Sequence, residues 1–208
     1  MSDQTKERIV DAAYRTLARR GYHETSMKDI AAEAGLAPGL AHYYFETKED
    51  LLVAAIRHGC EPALEGWAQA GLRQDGPLPE NADPLELARL GFELAKRELG
   101  RYESLFRLTF DMFGVGTHNP KIAAAVRQFI DERRGFVARI SQGVIAGMAE
   151  RPASSADAIA AATWGGLHGI YLQKVMDPSF DADAAIDALQ EMVFAFATRQ
   201  PARTNEEG

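Results

Sequence analysis

Catalysis or metal binding needs reactive side chains at characteristic spacings, and this sequence does not offer the familiar ones. The five histidines, at positions 23, 42, 58, 118 and 168, form neither an HxxxH nor an HExxH pair, and the single Cys60 cannot make a thiolate cluster. No G-x-S-x-G elbow is present either. A helical enzyme or metalloprotein is therefore the least favoured class, and we expect no cofactor and no metal.

The more distinctive chemistry lies in residues 25–52, where aromatic and basic side chains accompany strong helix signals. Ser26 followed by Asp29 is the pattern of a capping box that starts a helix. Gly35 can adopt the left-handed conformation that ends that helix in a sharp turn, and Pro38 suits the first turn of a second helix. Two short helices around a tight turn, followed by a third, predict a DNA-reading module.

The second short helix carries an unusual amount of ring surface. Leu36, Ala41 and Phe45 can turn inward, and we assign Phe45 to the core. The remaining side chains of this helix are left at its front, where they suit a groove of the duplex: Gly39, Leu40, His42, Tyr43 and Tyr44. For each tyrosine the alternative is packing inside the module.

A third helix follows at once. Thr47 and Asp50 form another capping pattern, and the helix is expected to run from Lys48 to about Leu72, with a bend at Pro62. Lys48 lies in the first turn, where a cation opposes the helix dipole. Its spacing is equally compatible with a solvated surface lysine and with a phosphate contact.

These residues carry a family resemblance. The pattern S-M-K-D-I-A-x-x-A-G-L-A-x-G-x-x-x-x-Y-F-x-x-K-E-x-L-L resembles the N-terminal domain of the TetR family of bacterial transcription regulators over roughly the first sixty residues. Ala37 departs from the family's usual serine or threonine cap, and His42 stands where tyrosine is frequent. A more limited resemblance, in HNPKIAAAVRQF and WGGLHGIYLQKVMDP, connects the C-terminal half with the branch that includes choline-sensing repressors.

The resemblance implies a dimeric, ligand-responsive transcription factor, most often a repressor. Its implied partners are double-stranded operator DNA, a second copy of the chain and an unidentified small-molecule effector. It further implies contacts to base edges and sugars from Pro38, Gly39, Leu40, His42 and Tyr43, and contacts to phosphates from Ser26, Lys28, Tyr44 and Lys48. A DNA-binding regulator without an effector is the nearest alternative.

The charge distribution is compatible with a nucleic-acid partner although the net charge is −7. Residues 1–60 carry 8 Lys and Arg against 9 Asp and Glu, whereas residues 61–208 carry 15 against 21. The acidity therefore lies mostly outside the predicted DNA-reading module. Each subunit has few cations that could contact phosphates, so two subunits that bind together would raise the affinity for DNA.

The composition, 46% hydrophobic and 25% charged, is that of an ordinary soluble protein. The lone Cys60 excludes an internal disulfide and fits a reducing compartment, where it serves as small apolar filler or, alternatively, as a thiol sensor. The beginning of the sequence has no apolar segment of signal-peptide length, and no stretch of about 18 apolar residues occurs. We expect a cytoplasmic protein without a membrane partner.

Helix signals continue to the end of the sequence and predict an all-α protein of about nine helices. The expected division is a three-helix helix-turn-helix domain over residues 1–47, a larger helical domain for effector binding and dimerisation over residues 48–199, and a disordered tail over residues 200–208. The helices outside the module are expected at residues 3–20, 84–99, 101–113 (ending at the glycine pair 114 and 116), 120–148, 155–176 (opened by Ser154 with Asp157) and 182–199.

Two further sites are expected in the larger domain. An effector pocket among the middle helices is predicted from a group of rings with few polar partners, namely Phe92, Phe106, Phe110, Phe113, Trp164, His168 and Tyr171; plain core packing is the alternative. His168 is the best polar candidate among them, although it could also be a satisfied core histidine or an interface contact. The last two helices are apolar on more than one side, which predicts a dimer interface containing Ile159, Leu167, Ile170, Leu189, Met192, Val193 and Phe196.

Overall fold

The computed structural model describes residues 2–73, 76–79, 81–148 and 152–197, and every regular element within these ranges is an α-helix. The nine helices are α1 (Ser2–Arg20), α2 (Met27–Glu33), α3 (Pro38–Tyr44), α4 (Lys48–Gln69), α5 (Pro84–Arg101), α6 (Glu103–Gly116), α7 (Pro120–Ala146), α8 (Ala156–Met176) and α9 (Ala182–Ala197). The all-α prediction is confirmed. The tail predicted to be disordered lies outside the described residues.

No helix in the described ranges is both long enough and apolar enough to cross a membrane.

The sequence signals at the start of α2 and α4 act as predicted. Ser26 and Asp29 form a complete capping box at α2, and Thr47 and Asp50 form one at α4. Gly35 has a φ of +67°, and the turn that follows it is closed by a hydrogen bond from the Leu36 N–H to the carbonyl oxygen of Ala31, 2.9 Å long. The α2–turn–α3 pair is therefore built by local chemistry.

Packing against α1 and α4 holds this pair in place, because two helices of seven residues each are too short to persist alone. The shared core is apolar and includes side chains with at most 1% of their surface exposed, among them Ile9, Leu17, Ile30, Leu51 and Leu52. Apolar residues of α6 and α7 complete the same core, including Leu108, Met112 and Ile122.

Several helix ends differ from those predicted, three of them for an identifiable reason. Helix α6 continues through Gly114 and Gly116, because Gly116 packs closely on α7: a Cβ there would lie 3.1 Å from Val126 Cγ2. Tertiary packing thus overrides the low helix propensity of glycine. Helix α8 is capped by Ser155 and not by Ser154. Helix α4 ends at Gln69, just before Gly71 with its φ of +85°.

By internal contacts the chain divides into two compact units. The first contains Met1–Ala70 and Glu98–Asp131, and the second contains Gly71–Arg97 and Glu132–Gly208. These bounds describe packing. The expected division into DNA-binding and effector-binding domains remains a prediction, since packing does not say what each part binds.

In the second unit, α8 and α9 pack against each other. A Cβ added at Gly166 would lie 3.0 Å from Leu189 Cδ2, so the glycine permits a close approach of the two helices. Lys96 of α5 forms an ion pair with Asp187 of α9, and the Tyr171 hydroxyl of α8 donates to the carbonyl oxygen of Ala95, 3.4 Å away. These contacts join α5, α8 and α9.

Candidate nucleic-acid interface

Helix α3 presents two different faces. Ala41 is fully buried and Phe45, the residue that ends the helix, is 7% exposed, as predicted for the inward face. Tyr43 is 80% exposed, so the alternative that it packs in the core is wrong. Its ring meets Tyr44 edge-to-face with 5.1 Å between centroids, and Tyr44 is half-buried against the core. The Tyr44 ring thus contacts both the core and the exposed Tyr43 ring.

The first turn of α3 is open on its outer side. Pro38, Gly39 and His42 are exposed and Leu40 is half-buried. A Cβ added at Gly39 would meet nothing within 4 Å. Ala37 provides no side-chain cap, in agreement with its departure from the family pattern. The surface made by these residues and Tyr43 can therefore be approached closely by another molecule.

The arginines of α1 hold α2 in position. Arg15 and Arg19 both bind the carboxylate of Glu33, at 3.4 and 3.2 Å, and Arg8 donates to the carbonyl oxygen of Ala34 at 2.8 Å. These bonds from the arginines hold the pKa of Glu33 below its usual value. Most of the positive charge in α1 is therefore engaged within the protein.

Asp29 makes a similar link. It accepts hydrogen bonds from the Ser26 backbone N–H and hydroxyl, and it lies 3.4 Å from Arg20 of α1. The bonds from Ser26 hold the pKa of Asp29 below its usual value. Ser26, predicted to contact a phosphate, thus also caps α2, while its exposed position leaves it accessible.

Lys28 and Lys48, the two lysines predicted to contact phosphates, differ in their surroundings. Lys28 is exposed, and no ion pair connects it to the part of the chain that the structure describes. Lys48 is half-buried and donates to the carbonyl oxygens of Tyr22 and Thr25, at 2.8 and 2.9 Å. Its ammonium also lies 3.9 Å from the centroid of the Tyr22 ring.

Lys48 is therefore not the solvated lysine considered as one alternative. An ammonium has three donors, so a phosphate contact remains possible for the third, and that contact stays a prediction. The internal bonds of Lys48 could not be inferred from the sequence, because its partners lie 23 and 26 positions away and are backbone atoms.

The side chains predicted to line an effector pocket fall into two groups, one in each unit. In the first unit, Phe110 and Phe113 meet edge-to-face at 6.1 Å, Phe113 does the same with Phe129, and Phe106 is 9% exposed. Phe113 packs against the core of the unit. Core packing thus accounts for much of this first group.

In the second unit, the rings of α8 form a stack. The His168 ring lies on Trp164, with 3.7 Å between centroids and 26° between planes, and 5.6 Å from Tyr171. The His168 Nδ1 lies 3.0 Å from the Trp164 carbonyl oxygen, so it donates there in the neutral tautomer. Burial lowers the pKa of His168 to about 4. Phe92, also in this unit, is buried and meets Phe194 edge-to-face.

The residues predicted at a dimer interface are exposed to different degrees. Met192 is 64% exposed, Ile159, Leu167, Leu189 and Val193 are half-buried, and Ile170 is 8% exposed. The side chain of Phe196 lies outside the described residues. Met192 therefore offers the most surface to a partner and Ile170 the least, and the interface itself stays a prediction.

Within the described ranges no group of three or more His, Cys, Asp or Glu side chains is arranged to hold a metal ion. Cys60 is a buried thiol beside Tyr14.

The sequence match to a known family lies within α1–α4. Residues 9–55 match the family model described as "Bacterial regulatory proteins, tetR family". The HTH-type transcriptional regulator BetI of Brucella anthropi is 41% identical over 58 residues, and that of Agrobacterium fabrum is 38% identical over 77 residues. These matches cover 28% and 37% of this chain, and 30% and 37% of the respective relatives. The matched part is thus about a third of each relative's length.

Solved structures resemble the chain over nearly its whole length. A transcriptional regulator of Saccharomonospora viridis in complex with choline has a TM-score of 0.72 at 24% identity and covers 94% of this chain and 96% of its own. FadR of Bacillus subtilis in complex with stearoyl-CoA has a TM-score of 0.73 at 19% identity, covering 90% and 97%. These likenesses establish the fold, while the relatives are named as regulators and not as enzymes. Residues 9–55, within the first four helices, are thus similar to the N-terminal domain of the TetR family of bacterial regulatory proteins.

Proposed function

We propose that this protein is a dimeric, sequence-specific transcriptional repressor that binds a palindromic operator through α2 and α3 and is released by a small-molecule effector. The observation that carries the proposal is Tyr43, a large ring that is 80% exposed at the front of α3 in a helix-turn-helix domain. An exposed ring of this kind costs solubility, and contact with bases and sugars in the major groove would bury it.

The DNA contacts follow from the same surface. Pro38, Gly39, Leu40, His42 and Tyr43 would lie in the groove, because they form the open side of α3. Ser26, Lys28, Tyr44 and Lys48 would contact the phosphates on either side. With Arg15, Arg19 and Arg20 of α1 engaged by Glu33 and Asp29, Lys28 is the cation best placed to contribute the salt-dependent part of the affinity.

Dimerisation would supply the affinity that one small module lacks. Small and apolar side chains recur every three or four residues along the exposed side of α8, where Leu172 and Met176 are 39% and 73% exposed. Met192 extends this apolar surface to α9. A second copy of the chain would cover both helices, and its α3 would enter the next major groove about 34 to 36 Å away.

The effector is the least specified part of the proposal. A structural relative binds choline and another binds stearoyl-CoA, and the choline-sensing branch resembles the C-terminal half of this sequence. A ligand seated among the helices of residues 48–199 would change the spacing of the two α3 helices. A coupling of about 1 to 3 kcal/mol would weaken DNA binding by roughly 5- to 150-fold. Because the operator is in the cytoplasm, the protein would act there.

Selection of duplexes from random-sequence DNA by the full chain tests the DNA-binding part. We expect an inverted repeat, protected symmetrically in footprinting. On the selected duplex, Lys28→Ala should lower the log-log salt slope by about one, as expected for one lost phosphate contact. Arg107→Ala, at an exposed cation of α6, is the matched control and should leave the slope unchanged. Selection of no sequence would contradict the proposal.

A thermal-shift panel that includes choline and stearoyl-CoA tests the effector part, because a ligand bound by the folded state raises the melting temperature. Any stabilising ligand should then weaken binding to the selected duplex. Equal affinities with and without it would instead favour a DNA-binding regulator without an effector.

A further inference from the structure

The first turn of α4 is attached to two other elements of its unit by three successive side chains. Lys48 binds the turn between α1 and α2, Glu49 accepts a hydrogen bond from that turn, and Asp50 forms an ion pair with α7. We call this turn and its partners Tyr22, Asp111 and Lys121 the α4 anchor. Its members come from α4, α6, α7 and the α1–α2 turn, all in the first unit.

Tyr22 is the centre of the α4 anchor. Its hydroxyl donates to Glu49 Oε1 at 3.0 Å, its carbonyl oxygen accepts from Lys48 at 2.8 Å, and its ring lies beneath the Lys48 ammonium. Burial, reinforced by the hydrogen bond to Glu49, raises the pKa of Tyr22 to about 12, so the hydroxyl stays a donor at physiological pH. Tyr22 of the α1–α2 turn thus makes three contacts with the side chains of Lys48 and Glu49 at the start of α4.

Asp111 of α6 makes a fourth contact with Tyr22. Its Oδ2 accepts a hydrogen bond from the Tyr22 N–H at 2.9 Å. The preceding Gly21 has a φ of +80°, and a Cβ on it would lie 3.4 Å from the same oxygen. The left-handed residue turns the Tyr22 N–H towards α6, and the carboxylate is the acceptor that this N–H needs when it is shielded from water.

Lys121, in the first turn of α7, makes the second connection. Its Nζ lies 2.7 Å from Asp50 Oδ1 and 3.5 Å from the Thr47 hydroxyl. The other Asp50 oxygen closes the capping box of α4 with Thr47. The bond to Lys121 is the main cause that lowers the pKa of Asp50, and its counterpart raises the pKa of Lys121. Lys121 therefore acts on the carboxylate that defines where α4 begins.

We propose that Asp111 and Lys121 are positioning residues for DNA binding: without touching DNA, they fix the α1–α2 turn and the start of α4, between which α2 and α3 are held. This inference rests on the proposed function. It adds a polar connection from α6 and α7 to the DNA-reading helices, through which a movement of α6 or α7 would change their position.

The direction in which Asp111→Ala changes the affinity for DNA distinguishes a positioning role from electrostatic repulsion. Removing a carboxylate from a DNA-binding protein reduces repulsion from the phosphates and, by charge alone, strengthens binding. Loss of positioning has the opposite result. For Lys121, a direct phosphate contact and a positioning role are distinguished by the salt dependence of DNA binding. Removal of a cation that contacts a phosphate lowers the log-log salt slope by about one. Removal of a positioning cation lowers the affinity without changing the slope.

The experiment uses the full chain and the duplex selected by the wild-type protein. Asp111→Ala should weaken binding about tenfold, the change that corresponds to one lost charge-assisted hydrogen bond, and should speed hydrogen exchange at the Tyr22 amide. Asp111→Asn keeps an oxygen acceptor for that amide and should restore most of the affinity. Lys121→Met should weaken binding with an unchanged salt slope, and Lys121→Arg should restore it. Glu103→Gln, which removes a paired carboxylate from the same helix as Asp111, is the control for charge and should bind at least as tightly as the wild type.

Amide exchange keeps the inference testable apart from DNA binding. Unchanged exchange at Tyr22, or tighter DNA binding by Asp111→Ala, would overturn the role of Asp111. A salt slope lowered by about one in Lys121→Met would make Lys121 a direct phosphate ligand and overturn its positioning role. If the wild type selects no duplex, the proposed function fails, and this inference fails with it. If the wild type binds its duplex and both Asp111→Ala and Lys121→Met bind that duplex as tightly, only this inference fails.

Discussion

The outward surfaces of α3 and of α8 differ in kind, although both helices expose apolar atoms. Helix α3 is seven residues long, and the Tyr43 ring projects from a short surface that it shares with Pro38, Gly39 and His42. Helix α8 has 21 residues, and its exposed side carries a long row of small and apolar side chains: Ala158, Ala161, Gly165, Gly169, Leu172 and Met176.

With the proposed function, the difference fits two kinds of partner. An exposed ring beside His42 and Gly39 suits a polar groove, where it can contact sugars and bases while neighbouring side chains bond to phosphates. A long, flat apolar row suits a surface of the same character, as a second copy of the helix would provide. Charge introduced on α8 and truncation on α3 should therefore have different consequences.

The largest expected effect comes from placing a charge in the α8 row. If the proposed function holds, Gly165→Glu should convert the proposed dimer to a monomer and weaken operator binding by roughly 100-fold or more, because the second DNA contact is then no longer intramolecular. Sedimentation velocity and a DNA titration measure the two effects. A Cβ at Gly165 meets nothing within 4 Å in the protomer, so the fold should be retained. Gly100→Glu, at an exposed glycine of α5 with equally open surroundings, should remain dimeric. A dimeric Gly165→Glu protein would exclude this face as the interface.

Neighbouring rings of α3 allow stability and binding to be separated. Phe45→Ala should lower the free energy of unfolding by about 3 kcal/mol, because it leaves a cavity in the core. Tyr43→Ala should change it by less than about 0.5 kcal/mol, as is usual for an exposed residue, yet weaken operator binding about tenfold. Urea denaturation and a DNA titration on both variants test this. Equal destabilisation by the two variants would contradict the two-faced description of α3.

The stacked His168 of α8 predicts that the stability of the protein depends on pH. Its pKa is about 4 in the folded protein and about 6.5 when unfolded, so the unfolded chain binds the extra proton first. The stabilisation is complete above pH 6.5 and is lost as the pH falls towards 4, by about 3 kcal/mol. His168→Gln should flatten the stability profile in that window, measured by urea denaturation at several pH values. An unchanged profile would show that this histidine does not titrate as described.

The smallest effect is expected at Gly39. In the isolated protein Gly39→Ala should raise the free energy of unfolding by a few tenths up to about 1 kcal/mol, because alanine is the better helix former and its Cβ meets open space. The same variant should weaken operator binding, since the methyl group would stand between the α3 backbone and DNA. Tighter binding by Gly39→Ala would show that no close approach occurs there.

Local signals in the sequence predicted the local structure of α2, the turn and α3 well, for a physical reason. The capping boxes at Ser26 and Thr47 and the left-handed Gly35 involve atoms only a few positions apart, so their conformations are decided by neighbouring residues. The assignments of Ala41 and Phe45 to the core followed from helical spacing alone. Helix ends that depend on packing were predicted less well, as Gly116 in α6 shows.

Contacts between distant residues could not be predicted in the same way. Asp111 and Lys121 contact residues 89 and 71 positions away, one of them through a backbone N–H that any residue could supply. The predicted effector residues were grouped by ring content, whereas the structure distributes them over two units.

The sequence by itself determined the helical class, the helix-turn-helix and the exposed ring face of α3, because helix signals and apolar periodicity act over a few residues. Only the tertiary structure decided that Lys48 binds two carbonyl oxygens and that Tyr22 joins α4 to α6. Those contacts exist because the hydrophobic core brings distant polar atoms together, where shielding from water makes each one require a partner.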